Sequence, residues 1–414
     1  RTMMYRYADY INKYGRIMQF NKNKELCIHR WYPFVEGYSK EFIESIINEQ
    51  TQKVDLCLEP FSGSGTTALE LSTKGINCIS FEVNPFMFTL SKAKLKVSLY
   101  KQRTIKSHIL KMKKYIVSLD DDKINPYSRF STLIEGEEKK KWNIDLEVFI
   151  AIEKLKIAID SLSTTLYKEL YIVCLANILL EYSNLYRNGK CLSYKKGWKN
   201  NLYSQEQVIT SFFNFINNVI IEDLKKLETN NFSNHNLLFL GDARKLIFDN
   251  VYDNSIDLII TSPPYLNSRD YTDSYMLELK ALNFLTNYNE IKNLREQTIR
   301  SHVQLKICNL KGIQSSILKA TITKIESLSG NSTVWNTEIP NMIIAYFEDM
   351  ETIFNGMYQK LKKGRRIYFN VSNSAYFGVL INTLEIFNSP EIRKVVNLML
   401  SNLALLSTVS ANSS

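Results

Sequence analysis

A chain of 414 residues with 45% hydrophobic and 23% charged residues has an ordinary globular balance and enough length for two or three lobes. The net charge of +10, at a pI of about 9.0, favours a polyanionic partner. No apolar run reaches the roughly 18 residues of a membrane span; the longest, "LYIVCLANILL" (170–180), is flanked by Lys168, Glu169 and Glu181 and reads as a buried helix. The N-terminal "RTMMYRYADYINKYGR" has no apolar signal core, so a cytoplasmic protein without membrane contact is expected. The six cysteines are scattered without a C-x-x-C pair, and the four histidines show no ligand spacing, which predicts no metal site and no disulfide framework.

In chain order, "VDLCLEP" (54–60) reads as a short buried strand, "TTALELSTKG" as a helix closed by Gly75, and "NCISFEVNP" (77–85) as a second strand. Strand, helix and strand within about thirty residues make the βαβ unit of a parallel sheet. From Lys92 to Lys114 there are nine Lys or Arg and no acid. The region 100–235 is mostly helical in pattern, with charge-rich breaks at "DDDK" (120–123) and "EGEEKKK" (135–141). Within it, "YSNLYRNGKCLSYKKGWKNN" (182–201) interleaves five basic residues with Tyr182, Tyr186, Tyr194 and Trp198. Basic residues attract phosphates and aromatic rings stack on bases, so both stretches are candidate nucleic-acid surfaces, the second nearer the target base.

"NLLFLGDA" (236–243), "SIDLIITSPPY" (255–265) and "RRIYFNVSNS" (365–374) supply three more strands, and a helix over 346–364 leads into the last and stops at Gly364. The expected architecture is an open, mostly parallel α/β sheet carrying a large helical insertion. Its parts are an N-terminal portion with the glycine loop (1–99), the insertion and candidate recognition region (100–235), the remainder with a smaller insertion at 266–340 (236–388), and an atypical tail (389–414).

"LEPFSGSGTTALEL" (58–71) follows a strand and opens a helix, so Gly63 and Gly65 lie where the chain turns tightly and a ligand meets backbone. Glu82 ends the next strand, where a carboxylate can take both hydroxyls of a ribose. A nucleoside triphosphate loop needs a Lys where Thr66 and Thr67 stand. A dinucleotide reading matches better, since Gly63 to Ala68 fits G-x-G-x-x-A. S-adenosylmethionine needs the same glycine turn and ribose carboxylate without a pyrophosphate.

The end of the strand at 255–265 separates these readings. Pro263 and Pro264 lack backbone N–H groups and cut the strand off between a hydroxyl, Ser262, and a ring, Tyr265. A dehydrogenase has no use for that turn, whereas an enzyme methylating a base amine does. The exocyclic amine of cytosine or adenine is a weak nucleophile because its lone pair is conjugated into the ring. Hydrogen bonds accepted from its N–H groups, by the Ser262 side chain and the Pro263 carbonyl, draw the nitrogen toward a tetrahedral form. Tyr265 can then stack on a base flipped out of the duplex. No Pro-Cys motif of the kind used for carbon-5 cytosine methylation accompanies it.

"EPFSGSGTT", "FEVNP", "GDAR" and "TSPPY", in that order, resemble the motifs of the S-adenosylmethionine-dependent DNA amino-methyltransferases, over roughly 27–99 and 236–380. "HRWYPFVEGYS" (29–39) is similar to the segment that in this family helps hold the methionine end of the cofactor. The resemblance implies a Rossmann-like class I methyltransferase fold, with Glu59, Phe61, Gly63, Gly65 and Thr66 at the cofactor loop. It further implies Glu82 on the ribose, Asp242 by the adenine amine, and Ser262, Pro263, Pro264 and Tyr265 at the target base. Ser in the first place of S-P-P-Y is typical of the cytosine-N4 branch, with adenine-N6 as the alternative. Double-stranded DNA is the implied substrate, and a cognate restriction endonuclease the expected companion of such an enzyme. An RNA base methyltransferase of the same fold, and a DNA-binding relic without activity, are rival readings. Two features depart from the family: the long insertion before "GDAR", and the stretch after the last strand, which shows no clear antiparallel closing hairpin.

Overall fold

The structure, a computed structural model, describes residues 23–34, 37–189, 191–227, 230–232, 235–266, 270–312, 315–328, 338–389 and 403–407. Its strands are β1 (Leu56–Glu59), β2 (Asn77–Glu82), β3 (Leu185–Asn188), β4 (Cys191–Tyr194), β5 (Leu237–Leu240), β6 (Ile256–Thr261), β7 (Leu361–Val371), β8 (Ser374–Tyr376), β9 (Val379–Ile381) and β10 (Leu403–Ser407). Six form one sheet in the order β10-β7-β6-β1-β2-β5, and every neighbouring pair is parallel. This is the Rossmann-like α/β fold expected from the motifs, with helices on both faces.

Alternation along the strands sorts the core. Leu58, Ile259, Ile367 and Phe369 face the long helix Glu338–Lys360. Cys57, Cys78, Leu258, Ile260 and Tyr368 face Phe42, Ile43 and Ile46 of the helix Lys40–Asn48. That helix is amphipathic and capped by Ser39, whose hydroxyl accepts the N–H of Phe42 at 3.1 Å. All six residues of β6 are buried, as its apolar run requires of a central parallel strand. Its one acid, Asp257, accepts the N–H groups of Asp55 and Leu56, each at 3.0 Å, and pairs with Lys362 and Arg365 of β7.

Those two cations come from an irregular start of β7. Leu361 pairs with Ile256 and Arg366 already with Leu258, so extra residues bulge out between them, with Gly364 at φ +78°. The helix expected to stop at Gly364 therefore ends at Lys360, because that glycine serves the bulge and not a helix cap.

Most of 100–235 is helical, as expected, with helices at Gln102–Val117, Leu146–Asp160, Thr165–Tyr182 and Gln205–Phe215. These share one apolar core with the helix Pro85–Leu95 and with Trp31 and Tyr32. The unforeseen element is the antiparallel hairpin β3–β4, turned at Gly189 (φ +61°). After β7 a short hairpin, β8–β9, does form, but outside the main sheet. β10, within the tail expected to be atypical, runs parallel to β7 where the family resemblance implied an antiparallel closure.

Candidate active site

Because β1 pairs with β2 on one side and with β6 on the other, the loops after β1 and β6 open side by side at the carboxyl ends of the strands. The glycine loop and the S-P-P-Y turn thus wall one cavity of about 550 Å³. Glu59, Phe61, Gly63, Thr66, Glu82, Asp242, Ser262, Pro263, Pro264 and Tyr265 all line it.

The loop is built from backbone constraint outward. Gly63 (φ +54°) turns where a Cβ would lie 2.7 Å from the ring of Phe34, so that ring can rest directly on the loop. Its N–H donates to Glu82 at 2.7 Å, while the other Glu82 oxygen accepts from the Asn84 N–H at 2.9 Å. Burial pushes the Glu82 carboxyl up to about 7 against these backbone donors. Glu59 works behind the loop. Its carboxylate accepts from the Phe61 N–H, the Thr67 hydroxyl and the Thr261 hydroxyl, tying the ends of β1 and β6 to the helix Thr66–Ser72. Desolvation holds it well above the usual carboxylate range.

Gly65 does not line the cavity. It caps the helix at φ +83°, and a Cβ there would come within 2.9 Å of the Ser91 side chain. Its glycine is needed for close packing on the helix Pro85–Leu95, whose Ser91 hydroxyl donates to the Gly63 carbonyl at 2.9 Å. Asp242 caps the helix Ala243–Asp249, and both its oxygens accept from the Arg244 guanidinium, which also reaches Asp349 at 3.0 Å.

On the other wall, Ser262 Oγ donates to the Tyr265 hydroxyl at 3.0 Å, and the Asn370 amide donates to the same oxygen at 2.8 Å. The Tyr265 N–H donates to the Tyr271 hydroxyl at 2.8 Å, which holds the turn after the second proline. Several lining residues lie outside the recognised motifs. Asp270, Tyr271, Thr272 and Tyr275, and the segment with Gln297, Thr298, Ser301 and His302, come from the smaller insertion. Their sequence carries no pattern separating them from a surface loop. Asn370 did leave a signal, as the one amide at the buried end of an apolar strand.

From the segment 29–39, Phe34, Gly37 and Tyr38 line the cavity wall. Phe34 stacks on Tyr275 at 6.2 Å and 16°. The large insertion anchors this segment. Asp223, fully buried, accepts the Ile28 N–H at 2.8 Å and the Trp31 indole at 2.9 Å, and pairs with Arg30 at 2.6 Å. Arg187 of β3 pairs with the buried Glu278, donates to the Tyr32 hydroxyl and to the Ser274 carbonyl, and lies 5.1 Å from the Tyr275 ring centre. Burial works against its charge, but Glu278, Tyr32 and Tyr275 together more than offset that and raise its pKa. Arg187, expected near the target base, is instead an internal brace. Lys195 likewise points inward, to the carbonyls of Glu181 and Ser183, and Lys190 lies outside the described residues.

A parallel sheet with a glycine loop and a proline-ended strand around one cavity is the arrangement of a Rossmann-like α/β methyltransferase fold. The family model described as DNA methylase, of the N6/N4 type, matches residues 14–93. Type II methyltransferase M.BsoBI of Geobacillus stearothermophilus is 27% identical over 410 residues, 88% of this chain and 78% of its own length. Type II methyltransferase M.AvaI of Nostoc is 25% identical, over 94% of this chain and 80% of its own. Type II methyltransferase M.MjaII of Methanocaldococcus jannaschii is 28% identical over 153 residues, 36% of this chain and 28% of its own. The chain is thus similar to the N6/N4 DNA methylases over residues 14–93 and to type II methyltransferases over most of its length, in line with the resemblance its motifs carry. Among the described residues no helix is long and apolar enough to cross a membrane, and no group of three or more metal-ligating side chains forms.

Proposed function

We propose that this protein transfers a methyl group from S-adenosylmethionine to the exocyclic amine of a base flipped out of double-stranded DNA, that the base is cytosine and the position N4, and that it serves as the modification enzyme of a restriction–modification pair. The observation carrying the reading is the meeting of the Ser262–Tyr265 turn and the Gly63 loop in one cavity, set there by the parallel pairing of β6 with β1.

The lining suits the cofactor. The cradle at Gly63 has no room for a side chain beyond Phe34, and Ser62 Oγ is buried without a partner among the described residues. The loop with Phe61, Gly63 and Thr66 holds it, Phe34 and Tyr38 flank its methionine end, Glu82 takes the ribose, and Asp242 keeps a lone pair for the adenine amine. When bound it supplies an activated methyl group. The chain's own work is at the base. Ser262 spends its proton on Tyr265, so its lone pairs are left to accept an amine N–H; the Pro263 carbonyl, held rigid by Pro264, accepts the other. The Tyr265 ring stacks on the base. Holding the amine in line with the methyl group does the rest: the nitrogen takes the methyl as its bond to sulfur breaks, leaving a neutral thioether, the amine's surplus proton passes to solvent, and no covalent link to the enzyme is needed.

The serine supports cytosine-N4 over adenine-N6. Sequencing DNA from cells expressing the protein by a method that detects modified bases tests the reading: N4-methylcytosine at one short recurrent site is expected. N6-methyladenine would shift the reading to the adenine branch, and unmodified DNA beside methylated RNA would replace it. Ser262→Ala should retain cofactor binding and slow transfer by about a hundredfold, the usual scale for one preorganised polar group. Transfer at the parent rate would remove Ser262 from the mechanism.

A further inference from the structure

Asn370 is a polar side chain where an apolar one is expected. It sits in β7 between Phe369 and Val371, both in the core, and is only 5% exposed. A buried amide is costly unless both its ends are used. One end is used, since Nδ2 donates to the Tyr265 hydroxyl at 2.8 Å. The other, Oδ1, is buried with no partner among the described residues, and Asn370 lines the same cavity as Ser262 and Pro263.

The phenol oxygen of Tyr265 thereby takes two donors, Ser262 Oγ at 3.0 Å and Asn370 Nδ2 at 2.8 Å. Each donation turns a lone-pair end away from the phenol: Oγ for Ser262, Oδ1 for Asn370. An exocyclic amine carries two N–H donors and is matched by two converging acceptors. We propose that Asn370 is a further acceptor for the target amine, its Oδ1 sharing the second proton with the Pro263 carbonyl, and that the Tyr265 hydroxyl is the pin fixing Asn370 and Ser262 together. This rests on the base-methylation reading above and adds to it a residue outside the S-P-P-Y turn and a use for the tyrosine hydroxyl, distinct from its ring.

The test is a double-mutant cycle on single-turnover transfer to duplex DNA, using Asn370→Ala, Tyr265→Phe and the double variant. Tyr265→Phe keeps the ring that stacks and removes only the pin. Each single change should slow transfer roughly tenfold to a hundredfold, the scale of one lost hydrogen bond to a reacting group. The double should lose little more than the worse single, because both break one unit. S-adenosylmethionine affinity, and the fluorescence rise of 2-aminopurine at the target, should stay within about twofold, which a merely misfolded variant would not achieve. Asn370→Asp, which keeps an acceptor, should recover part of the rate. Transfer at the parent rate in Asn370→Ala, or full additivity in the double variant, would overturn the inference and leave the base-methylation reading standing. Loss of cofactor affinity alongside rate in both single variants would also overturn it, assigning Asn370 to core packing. A parent chain that methylates no duplex DNA would take down the reading and the inference together.

Discussion

Two stretches of this chain look alike in sequence, both rich in Lys and Arg and free of acids, yet one keeps all its charge outward and the other turns part of it inward. In the helix Gln102–Val117 the apolar positions Ile105, Ile109, Met112 and Ile116 recur at helical spacing and are buried, while Arg103, Lys106, Lys111, Lys113 and Lys114 are exposed. In the hairpin and turn over 185–200, Arg187 is locked to Glu278 and Lys195 caps carbonyls, while Lys196 and Lys199 stay exposed, Lys199 over the rings of Trp142 and Trp198 at 5.6 and 5.4 Å. Composition marks a cation; only periodicity tells whether it faces outward. A helix has one face to bury, and the other follows as solvent surface. A short hairpin with interleaved aromatics offers no such rule, and its cations go wherever carboxylates, carbonyls and rings lie.

The sharpest way to break the comparison is Arg187→Ala. Removing one partner of a buried ion pair strands the other, and Glu278 is wholly buried, so a loss of roughly 3–5 kcal/mol is expected. It should appear as a marked fall in melting temperature together with weaker cofactor binding, because Tyr32 and Tyr275 lose their shared brace. A variant that melts normally and methylates different sites would return the hairpin to the DNA surface. Asp223→Ala should act in the same direction, through Arg30 and Trp31, for the same reason.

What was readable in advance follows from the same distinction. β1, β2, β5 and β6 and the two walls of the cavity were legible because apolar runs, glycines and prolines act locally: each fixes its own backbone, whatever packs on it. Their side-by-side placement followed from the rule for parallel sheets. Gly65 and Gly364 show the limit. Both were rightly marked as special backbone, but whether a glycine serves a ligand, a neighbouring helix or a bulge depends on what lies opposite, here Ser91 and the Asp257 ion pairs. The smaller insertion's contribution was illegible for that reason too. Thr272, Ser301 and His302 are buried only because the chain folds back over the cavity.

The outward helix makes the next, smaller prediction. Replacing Lys111, Lys113 and Lys114 with Ala should weaken binding to every duplex about equally and flatten the dependence of log affinity on log salt by up to roughly three units, since each phosphate contact releases about one counterion. Cofactor affinity should not move. None of the three joins an ion pair among the described residues, and Lys113 merely lies 5.1 Å from the Phe213 ring centre, so stability should hardly change. An unaltered salt slope would show that this exposed face is only solvated, and the contrast between the two stretches would then say nothing about DNA.

The last and smallest effect concerns an inward charge with no cation beside it. Glu82 is held by the backbone N–H groups of Gly63 and Asn84, and burial raises its carboxyl to about 7. Ribose hydroxyls donating to it stabilise the ionised form, so its pKa in the complex must fall below that of the free chain. Below about pH 7, binding has to expel a proton and affinity drops; above it the carboxylate is already ionised and affinity levels off. Between pH 8 and pH 6, S-adenosylmethionine should bind about tenfold more weakly, by the population of ionised carboxylate alone. Calorimetry in two buffers of different ionisation heat should show proton release at pH 6 and little at pH 8. Glu82→Gln should bind more weakly at pH 8 and lose the pH dependence between these limits. The parent chain binding equally at both pH values, or Glu82→Gln keeping the slope, would remove Glu82 from the ribose. Its carboxylate would then be only a clamp on the glycine loop, an inward charge of the same kind as Arg187.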